Sequence, residues 1–184
     1  MSFFCIVITW VACPHLTDTN MEPYNHFAYG LELTKKMKLF QPKAEKAYHQ
    51  APNSDTLASI SNQLSEISYP VLVAIDGKDS TFTDNEAESL IKKAQFFFMV
   101  LKPADNDNPQ AILDAQAECE ANCLQIQTLM KLHSRKYTLG LTGLQLGSFT
   151  LASIGSIGDN LYGEIMGFII DSGVTTKIID EYWV

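Results

Sequence analysis

No lysine or arginine precedes Lys35, no apolar run approaches the width of a bilayer, and no two cysteines form a CxxC pair. Each absence removes a class. The opening run FFCIVITWVAC has 11 residues, about half the length of a spanning helix, so no membrane span is expected. A secretory signal begins with positive charge, and none is present. Residues 3–12 read instead as a strand, rich in β-branched and aromatic side chains and ended by CPH. WVAC, ending at Cys13, also resembles a lipoprotein cleavage box with Cys13 as acceptor, although Trp10 stands where leucine is usual. A buried strand is the expected state of this segment, and lipidation the alternative.

Cysteine is sparse as well. Cys5, Cys13, Cys119 and Cys123 build no small disulfide scaffold, and reduced thiols in an intracellular setting are expected. Positive charge is outnumbered: 13 Lys and Arg against 21 Asp and Glu leave a net charge of −8. Such a field repels phosphate and argues against nonspecific nucleic-acid binding.

What remains is apolar. At 184 residues and 46% hydrophobic, the chain suits a single domain, 1–184, with a substantial core. FAYGLELT, from Phe27 to Thr34, alternates large and small side chains and predicts a half-buried strand. The following KKMKLFQPKAEK gathers Lys35, Lys36, Lys38, Lys43 and Lys46 into one solvated segment. Asn53 or Ser54 caps a short amphipathic helix carrying Leu57, Ile60, Leu64 and Ile67. VLVAI then reads as a buried strand stopped by a DGKD turn, and QFFFMVLK as a second one, with a helical turn or two over residues 85–93 between them.

Asn108 and Pro109 mark the clearest boundary, a helix cap followed by proline at the first helical position. The helix should run to about Tyr137, with Ile112, Ala115, Cys119, Cys123, Ile126, Met130 and His133 along one stripe. A connector with Gly140 and Gly143 leads to a β-hairpin across residues 148–170, and KIIDEYWV reads as a last strand. The expected class is α+β: a mainly antiparallel sheet, a long helix over about 109–137 on one face, and a C-terminal hairpin.

The hairpin's second arm carries the functional information. Leu161, Ile165 and Ile169 project to one side with Gly163 and Gly167; Tyr162, Met166, Phe168 and Ile170 project to the other with Glu164. Both faces are apolar, so the second must meet other parts of the fold or another subunit. Gly163 and Gly167 mark either simple curvature or a close backbone approach.

Chemical motifs are weak. Cys123 and His133 lie roughly 15 Å apart along a helix axis, too far to share an ion. DNDN starts like a calcium loop but has Pro109 at the fifth position and Gln116 at the twelfth. GLTGLQLG does not have the spacing of a phosphate cradle, and His15, His26 and His49 have no nearby Ser or Cys in a nucleophile-elbow context. No catalytic residue, metal or cofactor is expected.

From AQFFFMVLK through the ADNDNP turn, the long helix and SFTLASIGSIGDNLYG to the alternating strand, roughly Gln95 to Ile170, the chain resembles small structural proteins of tailed phages and prophages of Bacteroidota. More loosely, the order of elements is similar to tail-terminator and neck (head-to-tail connector) proteins. The resemblance implies an antiparallel sheet with helices on one side and a noncatalytic subunit of a homo-oligomeric ring. It also implies contacts with other tail or neck proteins, location in the virion and, during assembly, in the host cytoplasm, and DNA passing through the lumen without sequence-specific binding. Candidate assembly residues are Ile157, Asp159, Asn160, Tyr162, Met166 and Phe168 on the hairpin, with Lys35, Lys36 and Lys38 on the lysine-rich segment. The alternative is a soluble enzyme or small-molecule binder with its site between helix and sheet.

Overall fold

The structure, a computed structural model, describes residues 23–41, 43–52, 64, 67–85, 89–158 and 160–175. The strands expected at 3–12 and 177–184, Cys5, Cys13, His15, Asp159 and most of the helix expected at 53–67 lie outside the described residues.

The first described element corrects an expectation. His26–Lys36 is a helix, α1, rather than a strand. Asn25 caps it, its side chain accepting a hydrogen bond from Ala28 N, and Lys35 and Lys36 sit in the last turn, where positive charge complements the helix dipole. Tyr29 and Leu33, which suggested alternation, are four residues apart; that spacing puts two side chains on one face of a helix as readily as on one face of a strand. A 3-10 turn, Lys38–Phe40, follows and drops Phe40 into the core.

Among the described residues five strands form one sheet: β1 (Tyr48–Ala51), β2 (Val71–Asn85), β3 (Ser89–Pro103), β4 (Thr150–Ile157) and β5 (Leu161–Thr175), ordered β1-β2-β3-β5-β4. Only β1 and β2 pair in parallel; the rest of the sheet is antiparallel. The DGKD segment does not end β2. The register instead slips between Asp76 and Ser80, so turn-forming residues are absorbed as an irregularity inside a long strand. Residues 89–93, expected to be helical, belong to β3.

The long helix α2 spans Pro109–Arg135, with Asn108 accepting from Gln110 N and Ala111 N and proline in the first turn. Its buried residues are Ala115, Cys119, Cys123, Ile126 and Met130, five of the seven stripe positions; Ile112 and His133 are half-buried. The helix closes with Tyr137 at φ 54°, and Thr138 N donates back to His133 O.

Helices α1 and α2 share one face of the sheet. Tyr29 and Leu33 from α1 and the α2 stripe pack on Leu72, Ala74, Phe98, Val100, Met166 and Phe168. Val71, Val73, Ile75, Met99, Leu101 and Leu161 project to the opposite face and are also buried, against Leu64, Ile67 and Ala51. Burying each large side chain contributes roughly 1.5–3 kcal/mol, so two buried faces explain why the strands read as continuous apolar runs. Cover on the second face thins toward β4: Ile154, Ile157 and Ile165 are half-buried, and Thr150 and Ala152 are exposed.

Gly163 sits close against the β3 backbone. A Cβ there would lie 1.9 Å from Val100 O, so this glycine serves a close backbone approach and not curvature alone.

Candidate functional site

β4 forms one edge of the sheet, and no described strand pairs with its outer side. Its sequence, TLASIGSI, contains neither charge nor proline, the residues that usually blunt an exposed edge. Thr150, Leu151, Ala152 and Ser153 are exposed in succession, Leu151 to 38%. The register places Leu151 opposite Met166 and Ser153 opposite Glu164, both on the helix side, whereas Ala152 and Ile154 face the second core. Toward the turn α2 anchors the strand: Gln116 Nε2 donates to Ile154 O at 3.1 Å.

The turn is tied to the start of α2. Gly158 supplies a positive φ of 61°, Ala104 N donates to Asn160 O at 2.9 Å, and the Tyr162 hydroxyl donates to Asn106 Oδ1 at 2.9 Å. Of the residues singled out in the sequence, Ile157, Asn160 and Tyr162 are half-buried here, and Asp159 lies outside the described residues. Met166 and Phe168 are fully buried beneath the helices, so neither presents its side chain to a partner. Alternation along β5 set their side correctly, but that side is the interior.

Lys35, Lys36 and Lys38 are exposed at the end of α1 and in the following turn. Glu32 pairs with Lys35 at 3.2 Å and with Lys36 at 3.6 Å. The same segment walls an open cleft of about 630 Å³, lined by Lys35, Gln41, Lys43, Glu45, Lys46 and Tyr69. Lys43 Nζ stands 4.5 Å from the Tyr69 ring centre, a cation–π arrangement that fixes one ammonium on the cleft wall. Thus the structure leaves two separate patches of candidate residues, one beside each edge of the sheet.

Burial governs the titratable groups between them. Burial pushes the thiols of Cys119 and Cys123 up to about 12, with the nearby Glu118 and Glu164 carboxylates adding for Cys119; such thiols are packing groups rather than nucleophiles. His26 Nε2 lies 3.0 Å from Phe97 O and Nδ1 lies 3.0 Å from the Tyr24 hydroxyl. A carbonyl only accepts, so Nε2 carries the proton and the tyrosine donates to Nδ1. Burial holds this imidazole down to about 4, against weaker opposing effects of the Phe97 carbonyl and Asp76. His133 bonds through Nδ1 to the Tyr29 hydroxyl at 3.0 Å, far from any role with the cysteines.

Sequence reasoning missed Glu164, a carboxylate buried at 4% exposure whose Oε1 accepts from the Ser153 hydroxyl. Its place in an otherwise apolar alternation was the available signal. Among the described residues no three His, Cys, Asp or Glu side chains converge as metal ligands, and no helix is long and apolar enough to cross a membrane. No protein-family model, curated protein or solved structure matches this chain.

Proposed function

We propose that this chain is a noncatalytic structural subunit of an oligomeric ring, of the tail-terminator or neck type built by tailed phages, located in the virion and in the host cytoplasm during assembly. The carrying observation is the β4 edge: eight residues without charge or proline, with four consecutive positions exposed. Such an edge offers unpaired backbone donors and acceptors to a neighbouring chain. A partner seated there would also cover Thr150 and Ala152, which are exposed. The net charge of −8 suits a lumen through which DNA slides.

Native mass spectrometry and light scattering test the reading. The full chain should form a closed oligomer, and Ala152→Pro, which removes a β4 backbone donor, should dissociate it while leaving the folded spectrum intact. A wild-type chain that stays monomeric at high concentration, alone and with other tail or neck proteins, overturns the proposal.

A second reading, a small-molecule binder, draws on a cleft of about 540 Å³ whose lining includes Tyr24, Lys92, Phe96, Thr142 and Asp171. Aromatic walls with one cation and one carboxylate suit a small zwitterion. Thermal-shift screening with amino acids discriminates: a rise in melting temperature that Asp171→Asn abolishes would favour this reading over the ring.

A further inference from the structure

The sequence separates its charges into two mirror-image segments. Residues 35–46 hold five lysines and one carboxylate, Glu45; residues 102–120 hold five carboxylates and one lysine, Lys102. All these groups except Lys102 are exposed. Glu118 is paired with Lys102. Among the described residues, Lys38, Lys43 and Lys46 have no carboxylate within ion-pair distance, and Asp105, Asp107, Asp114 and Glu120 have no cation.

The fold places the segments at opposite edges. The lysines flank α1, which packs on β1 and β2, whereas the acidic start of α2 is bonded to β5 through Asn106, to the β4–β5 turn through Ala104 and to β4 through Gln116. Four inter-strand spacings separate β1 from β4, about 19 Å. The Debye length at physiological salt is about 8 Å, so the two clusters gain little from each other within one molecule. Between molecules nothing keeps them apart. The first turns of α2 also bear an exposed apolar side chain, Leu113 at 58%, which supplies apolar contact that a charged rim alone does not.

We infer that the lysine cleft beside β1 receives the acidic start of α2 from a second copy of this chain. The contact is heterologous, pairing one surface with a different one, and a repeated heterologous contact closes into a ring when its rotation permits. It rests on the reading of β4 as an assembly edge and names the surface that meets it. Lys43, already held over Tyr69, and Lys46 face Asp105 and Asp107 of the neighbour; Leu113 is covered in the same step.

Charge reversal tests the pairing. Two variants, Lys43→Glu with Lys46→Glu and Asp105→Lys with Asp107→Lys, alter exposed positions; each also removes one local contact, Lys43 over Tyr69 or Asp107 N donating to Asp105 Oδ1, so circular dichroism should match wild type while the melting temperature falls slightly. Each alone should associate at least about tenfold more weakly than wild type, because like charges now meet. Mixed in equal amounts they should reassemble, since each reversed surface then finds an opposite one, and native mass spectra should show the two in alternation. Raising salt from about 0.1 M to about 1 M, which shortens the Debye length from about 10 Å to about 3 Å, should weaken the wild-type oligomer. Wild-type oligomers that persist in both variants, or variants that dissociate and are not restored by mixing, overturn this pairing while leaving the assembly edge standing. A monomeric wild type overturns both.

Discussion

Ser153 stands opposite Glu164 across β4 and β5, and its hydroxyl is the donor to a carboxylate only 4% exposed. The pair ties the uncharged strand β4 to its neighbour. Ser153→Ala strips the buried carboxylate of that donor and should cost about 1.5–3 kcal/mol, the range for hydrogen bonds to charged groups. Urea denaturation measures it. Ser153→Thr, which keeps the hydroxyl, should retain most of the stability.

His26 makes stability depend on pH. Its folded value, about 4, lies below the unfolded 6.5, so in that window the unfolded chain binds a proton that the native chain refuses. Stability from this group is complete above about pH 6.5 and falls as pH drops toward 4, by on the order of 3 kcal/mol in all. Urea midpoints from pH 7 to pH 4.5 should show this slope, and His26→Gln should flatten it. Imidazole NMR should find the ring neutral at pH 5, with its proton on Nε2.

Two strand glycines should respond oppositely to alanine. At Gly163 the new Cβ meets Val100 O at 1.9 Å, a backbone atom that cannot yield without breaking sheet pairing. Gly163→Ala should therefore cost about 2–3 kcal/mol, as overpacked sites do. At Gly155 nothing lies within 4 Å, and Gly155→Ala should stay within about 0.5 kcal/mol of wild type. Thermal melts of the two variants side by side decide it.

Cys119 and Cys123 should resist labelling. With thiols raised from 9.0 to about 12, alkylation of the folded chain in a Cys5→Ser, Cys13→Ser background should run on the order of a thousandfold slower than in denaturant. Fast labelling of the native chain would contradict their place beneath α2.

Where the sequence was legible, the governing interactions were local. Asn108 and Pro109 set the start of α2 because a cap acts within three residues. Alternation along β5 assigned Met166 and Phe168 to one side and Leu161 to the other, as observed. Tyr29 and Leu33 misled because their spacing suits both periods, and DGKD misled because its turn formers serve a register shift set by pairing with Ala94 and Phe96 on the next strand, not by the residues beside them. His26 was opaque for a similar reason: Phe97, whose carbonyl fixes its proton, lies 71 positions away. Of the residues proposed for assembly, the lysines were legible because their clustering is a matter of composition, whereas the exposure of Leu151 depends on which described strand ends the sheet.

The central pairing of β3 with β5, continuous from Ser89↔Thr175 to Pro103↔Leu161, joins strands with all of α2 between them. On the ribosome, β2 and β3 emerge first and can zip together, yet one long side of β3 stays unsatisfied until translation has passed residue 161. Nascent chains therefore carry Phe96, Phe97 and Phe98 beside an open ladder during that interval, and stalled or truncated products should be the species most prone to aggregate.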